Sequence, residues 1–430
     1  MDPTTREMQA ARWVAALFIM VVILQRVGIP GIANIGLLTP LVLGWVVLAH
    51  SRGVVVLHRQ SVLWFLFAAV VTGAAMLLQS TSVVQAQISV TSWLLVLTVW
   101  APFTVRLVEP GIVGYLVMLR FVTYSTIALA VASIAMLASQ LVGIPFRDWF
   151  AVVVPQAFQL DGFNTLAPTA YGSGLMRSMA WIGLEPSIVS ALIGLGMIAA
   201  IFVRSRNWVI VVLGAGLLAT VSGSGVIIVL LGLLTMLFYP CRRLLVRYSG
   251  VGLITLVLVI ASPIGALMIG RATEYQSTNS STSLRVLEPY TTLIPKWTDD
   301  LWGLLLGWGP GSSQRIVTDT NISGLLVPSP AKIFFDYGLI AGLVLAVFIL
   351  SCFWGGPSRA FALSLVLSLW LLQSGVSTSV IVAPVLVFVT LWSPRAGPAL
   401  ELLDVKGLDA QAPSDGARLV TASSRGSRWT

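Results

Sequence analysis

Charge is what this chain has least of. Asp, Glu, Lys and Arg make up only 10% of its 430 residues, where a soluble domain carries roughly a quarter. So few charged side chains cannot cover a water-facing surface, so lipid must be the solvent for most of the molecule. Cysteine is nearly missing: Cys241 and Cys352 are the only two, which excludes a disulfide framework. Histidine is limited to His50 and His58, so metal chemistry is poorly supplied and neither a metal nor a cofactor is expected. Both histidines flank a short basic turn, where a solvated role is the simplest reading. Lysine occurs only at Lys296, Lys332 and Lys406, so arginine supplies nearly all of the 25 basic side chains.

What the chain has instead is apolar length. Hydrophobic residues are 57% of the total and the mean hydropathy is +0.94. A membrane-crossing helix needs about 20 mostly apolar residues. Twelve stretches qualify as predicted spans: 12–28, 33–49, 61–79, 89–105, 119–141, 186–203, 207–222, 224–240, 249–270, 333–353, 359–374 and 378–393. The apolar segment Ala11 to Val27, which contains most of the first of them, precedes no small-residue cleavage site and reads as a span rather than a cleaved signal. The fold class expected is therefore an all-α polytopic membrane protein. Residues 1–394 form one integral membrane domain, and the polar, small-residue-rich tail 395–430 lies outside it, without periodicity.

The net charge of +9 is a statement about topology, not about nucleic acid. Lys and Arg are retained on the cytoplasmic side of a membrane. With the N-terminus inside, that side receives Arg6, Arg12, Arg52, Arg59, Arg106, Arg120, Arg204, Arg206, Arg242, Arg243, Arg247 and Arg359, and the tail adds Arg395, Lys406, Arg418, Arg425 and Arg428. The short outer connections near 29–34, 80–88, 222–224 and 374–378 have no charge. Both termini are thus expected in the cytoplasm.

Apart from Arg26, the other bases fall in two long external loops. Loop 142–185 holds Arg147, Asp148, Asp161, Arg177 and Glu185 with Trp149, Tyr171 and Trp181. Loop 271–332 holds Arg271, Arg285, Lys296, Arg315 and Lys332 against Glu274, Glu288, Asp299, Asp300 and Asp319, with Tyr275, Tyr290, Trp297, Trp302 and Trp308. Aromatic faces among scattered charge suit sugars, and arginine forks suit phosphate. The bland alternatives are an interfacial aromatic belt, surface ion pairs, and a simple turn at Gly307-Trp308-Gly309-Pro310-Gly311. A carrier would want an acid deep in a span, and none is evident.

Three stretches carry a resemblance. They are Arg177-Ser-Met-Ala-Trp-Ile-Gly-Leu-Glu-Pro-Ser187; Ser283-Leu-Arg285 with Leu306-Gly-Trp-Gly-Pro-Gly311; and Pro330-Ala-Lys-Ile-Phe-Phe-Asp-Tyr-Gly-Leu-Ile340. Together with the loop order they resemble the O-antigen ligase and polysaccharide polymerase (Wzy-type) superfamily, closest to exopolysaccharide polymerases. The long loop has no histidine, which departs from the ligases of that group. The resemblance implies a GT-C-like fold and a metal-independent inverting glycosyltransferase. It would join repeat units carried on undecaprenyl pyrophosphate, donor and acceptor alike, at the outer face of a bacterial inner membrane. A chain-length regulator and export proteins are the further partners it implies. Arg177 and Arg285 would stabilise the departing pyrophosphate. Glu185 is the preferred base, with Glu288 and Asp336 as alternatives. Arg271, Arg315, Lys332, Tyr290, Trp308 and Asp336 are the substrate-binding candidates. A ligase using the same donor is the runner-up within the enzyme class, and a flippase for a lipid-linked sugar is the competitor from another class.

Overall fold

A computed structural model describes the chain except residues 1–2, 82–87, 161–162, 164–167, 170–173, 239–243, 251–287, 320–326, 373–374 and 394–430. All but the first two residues of the predicted span 249–270, the candidates Arg271 and Arg285, Cys241 and the tail therefore lie outside the described residues.

The protein is helical. The helices are α1 (Pro3–Leu24), α2 (Leu38–Ser51), α3 (Arg59–Thr81), α4 (Val90–Trp100), α5 (Ile112–Leu141), α6 (Trp149–Val153), α7 (Pro186–Phe202), α8 (Asn207–Ala219) and α9 (Gly223–Phe238), followed by α10 (Glu288–Thr298), α11 (Leu301–Leu306), α12 (Ser312–Asp319), α13 (Ser329–Ser351), α14 (Arg359–Leu367) and α15 (Ser379–Phe388). Among the described residues, four helices are long and apolar enough to cross a membrane, and seven more are apolar but shorter. These eleven coincide with the predicted spans other than 249–270. The shorter ones are shorter than the sequence suggested. The ten residues of α15, for example, rise about 15 Å, half of a hydrocarbon core of about 30 Å.

Much of the helical surface is apolar and exposed among the described residues, which suits a lipid solvent. On α3, Leu63, Leu66, Phe67, Val70 and Leu77 are exposed, Val70 by 68%. In water such a stripe would be an aggregation site; in a bilayer it is the solvent-facing side.

The core forms where helices approach closely. α5 packs on α1, α7 and α8, and α7 packs on α9. Small residues set the spacing, since bulk hydrophobicity does not drive helices together in lipid and close backbone contact does. A Cβ on Gly194 of α7 would stand 2.7 Å from the Gly225 carbonyl of α9. The Ser190 hydroxyl bridges the same crossing, donating to the Ser222 carbonyl and accepting from the Gly225 N–H.

Two antiparallel ribbons mark the ends of the bundle. β3 (Val55–Leu57) pairs with β4 (Val105–Leu107), with Val56 opposite Arg106. They sit where α3 and α5 begin, at what we call the proximal end. Arg106 is buried there and donates to the Phe103 and Val105 carbonyls and to the Ser61 hydroxyl. β1 (Gly28–Ile29) and β2 (Ile32–Gly36) close the distal end. A bridge from Val27 to Gln159 ties that ribbon to the loop that follows α5.

Candidate functional site

The distal end is held by three glutamines, at the ends of α1, α3 and α5. Gln25 follows α1, accepts the Leu184 N–H at 3.0 Å and donates to the Val22 carbonyl. Gln79 of α3 donates to the carbonyls of Leu306 and Asp336. Gln140 of α5 brackets Met176, donating to its carbonyl at 3.1 Å and accepting its N–H at 2.7 Å. A primary amide carries both donor and acceptor, so it can act on a strand-like segment as another strand would. These amides fasten both long loops to the bundle.

The first cluster is the Arg177 to Ser187 stretch. Pro168 and Met176 form an antiparallel bridge, and the Thr169 N–H donates to the Leu175 carbonyl. This places the Arg177 Nε–H 2.9 Å from the Pro168 carbonyl, to which it donates. The two η nitrogens have no partner among the described residues, so within those residues the fork is anchored only at its base. Ala180 and Trp181 take positive φ of 53° and 56°, a sparsely populated backbone that costs of order 1–3 kcal/mol per residue and clusters at functional sites. The turn delivers Glu185 to the N-cap of α7, with Pro186 in the first helical turn. Proline is favoured there because its missing N–H would be an orphan anyway. Glu185 is buried and accepts from the Ser187 hydroxyl at 2.8 Å. Arg177 and Glu185 thus belong to one stretch that Gln140 and Gln25 pin at both ends.

The second cluster is a cap. α10, α11 and α12 fold over the first half of α13 around Leu293, Val317, Val327 and Phe335. Lys332, Asp336 and Trp308 meet here. Trp308 stacks on Phe335 at 6.0 Å with an interplanar angle of 10°. The Lys332 ammonium is 3.4 Å from the Asp336 carboxylate, one helical turn away. Asp336 is 1% exposed, and its oxygens accept from the Gly311 and Ser313 N–H groups and the Ser312 hydroxyl. Its carboxylate therefore organises the Gly307–Gly311 turn and the start of α12, while Lys332, 14% exposed, is the end of the pair nearer solvent. That turn is more than punctuation. Trp308 and Gly309 donate backbone N–H groups to the Phe335 and Asp336 carbonyls, and the Pro310 carbonyl accepts from Ser89. Tyr290 lies on α10 and is partly buried, which raises its phenol above the usual range. Arg315 projects from α12 on the exposed side.

Arg26 was not singled out by sequence reasoning beyond its position near a span end. It is 5% exposed and forms a two-pronged ion pair with Asp148, at 2.8 and 2.6 Å. It also donates to the Trp181 carbonyl at 3.2 Å and lies over the Phe150 ring. Burial pushes the Asp148 carboxyl up, but the hydrogen bonds and charge of Arg26, with the N–H groups of Ala151 and Phe150, outweigh it and hold the group below the usual carboxylate range. The only signal available was an arginine closing an apolar run, with an Asp among aromatics 122 residues later.

Among the described residues no group of three or more His, Cys, Asp or Glu side chains is placed to hold a metal ion. No family model matches the chain, and no curated protein and no solved structure matches it either.

Proposed function

We propose that the chain is a multi-pass protein of a bacterial inner membrane that joins lipid-linked oligosaccharide repeat units at the outer face, a polysaccharide polymerase. The observation that carries the reading is the Arg177 fork, fixed through Nε to the Pro168 carbonyl and, among the described residues, without a partner at either η nitrogen. A guanidinium so prepared suits an oxyanion, because the planar fork matches two oxygens at once and loses little freedom on binding. The reaction breaks the bond between the donor's anomeric carbon and its pyrophosphate oxygen. An acceptor hydroxyl attacks that carbon from the opposite face, its proton passes to a base, and undecaprenyl pyrophosphate leaves with the electron pair. Negative charge grows on the leaving pyrophosphate, so a fixed cation there lowers the barrier. Glu185, eight residues along the same stretch, is the proposed base. Arg285 completes the arginine pair by resemblance alone, with Arg271 and Arg315 as further phosphate contacts. Lys332, Tyr290 and Trp308 in the cap are the proposed sugar contacts.

The test uses the purified protein in bilayer nanodiscs with a lipid-linked repeat unit as sole substrate. A ladder of longer lipid-linked products is expected, and Arg177→Ala should slow its growth by about 100-fold, the effect of losing one charge-stabilising donor. Normal growth in both Arg177→Ala and Arg285→Ala would reject the site. Product only on a different acceptor would mark a ligase. A pool that changes leaflet without lengthening would mark a flippase.

A further inference from the structure

The proximal end contains a polar cavity of about 190 Å³ that the proposed reaction does not use. It lies between the first turns of α1, the turn joining α2 to β3, and the residues after β4. Its polar wall is Arg6, Gln9, Arg52 and Glu109. A single water needs only about 10–15 Å³ of such space, so a headgroup-sized anion fits.

The charges around it are unequally engaged. Arg6 gives one η nitrogen to the Glu109 carboxylate at 2.8 Å and is half exposed. Glu7 turns away to the first turn of α5, where it accepts the Gly114 N–H at 3.3 Å. Among the described residues the Arg52 guanidinium and the Gln9 amide have no partner. Arg6 and Arg52 against Glu109 leave one positive charge, the complement of a phosphodiester.

The backbone at Arg52 is fixed by hydrogen bonds. Gly53 adopts φ +67°, its N–H donates to the His50 carbonyl, and the Val54 N–H donates to the Ala49 carbonyl. This is a Schellman closure of α2, which holds Arg52 at the cavity rim. Depth is set by two tryptophans. Trp13 and Trp45 meet edge to face at 6.4 Å, and the Trp45 indole N–H donates to the Trp13 carbonyl. Trp13 follows Gln9 by one helical turn, about 6 Å along the axis. Tryptophans settle at the membrane interface, so a cavity one turn further out lies level with the lipid phosphates.

We propose that this cavity binds the phosphate headgroup of an anionic membrane lipid on the face that the arginine distribution assigns to the cytoplasm. Basic pockets between helices at that level take anionic headgroups by this chemistry. The site is independent of glycosyl transfer and would anchor α1 against α5 and the β3–β4 ribbon.

The experiment is native mass spectrometry of the full chain in detergent, titrated with phosphatidylglycerol or phosphatidylcholine, with inorganic phosphate as a separate arm. The wild type should retain phosphatidylglycerol over phosphatidylcholine. Arg52→Gln should weaken that binding about fivefold, while Arg59→Gln, on the same face but outside the cavity, should leave it unchanged. Glu109→Gln should tighten it, because the competing carboxylate is gone; misfolding cannot produce a gain. Equal binding by Arg52→Gln and wild type would overturn the proposal, as would a Glu109→Gln variant that binds no tighter. Displacement of the lipid by millimolar inorganic phosphate would assign the cavity to a soluble anion instead.

Discussion

Arg26 is buried in a chain with little charge to spare, and Asp148 is what makes that tolerable. Its two oxygens meet two η nitrogens at 2.8 and 2.6 Å, and the aromatic face of Phe150 covers the guanidinium. Removing one partner of such a pair leaves an uncompensated buried charge, which costs about 3–5 kcal/mol. Asp148→Asn should therefore lower the melting temperature measurably, and Arg26→Gln somewhat less because Asp148 retains some access to water. The pH dependence has a definite sign. The folded pKa of Asp148 lies below the usual carboxylate value, so the unfolded chain binds the proton more readily. The stability this contributes is fully present above the unfolded value, near pH 4, and is lost as pH falls through the lowered folded value. Melting curves of the wild type between pH 7 and pH 3, about the range over which carboxylates protonate, should lose stability that Asp148→Asn does not. Parallel curves would show that the pair contributes nothing in water or lipid.

At the level of elements, the instructive case is α13, which the sequence reads as one span beginning near residue 333. It is two helices joined at Gly338, where φ is +71° and ψ is −177°. Here α13 meets the α11 C-terminus backbone to backbone: a Cβ on Gly338 would collide with Leu305, Leu306 and Gly307. Gly307 is itself at φ +86°, so both sides of the contact require glycine. Gly338→Ala should thus cost strain of order 1–3 kcal/mol plus the clash, and should lift the α10–α12 cap. The expected readout is faster proteolysis within residues 288–319 at unchanged far-ultraviolet helicity; protection equal to wild type would show that the joint yields. Hydropathy could locate the helix because burial in lipid is a local property of about 20 consecutive residues. It could not find the joint, because that depends on which glycine faces which. α10 was invisible for a related reason: Glu288-Pro-Tyr-Thr-Thr-Leu-Ile-Pro-Lys-Trp-Thr298 is short, amphipathic and interrupted by Pro295, and its packing with Val317, Val327 and Phe335 is with residues distant in sequence. Arg177 could be read as a residue type suited to phosphate, whereas Asp336 entered only through the resemblance. That Asp336 is engaged by the turn at Gly311 depends on a contact 25 residues apart, which no periodicity records.

Taken whole, the molecule has unlike ends. The distal end collects the glutamine anchors, the Arg26–Asp148 pair and the cap, while the proximal end has Arg6, Arg52, Arg59, Arg106 and the polar cavity. A helical membrane protein inserts with its short basic connections on the cytoplasmic side, so the proximal end should face the cytoplasm. The distal end, with Arg177, should face outward. Two exposed positions report the two ends: Ser51 at the close of α2 and Ala151 in α6. In a chain whose native cysteines are replaced by serine, Ala151→Cys should react with an impermeant maleimide on intact cells, and Ser51→Cys only after permeabilisation. Ser51 is exposed and its hydroxyl bonds only within its own turn, so this change should not disturb folding. The reverse pattern would invert the protein. A transferase using donors at the outer face would then be excluded, since the Arg177 fork would open toward the wrong compartment, and the cavity between α1 and the β3–β4 ribbon would have to find its anion in the outer leaflet.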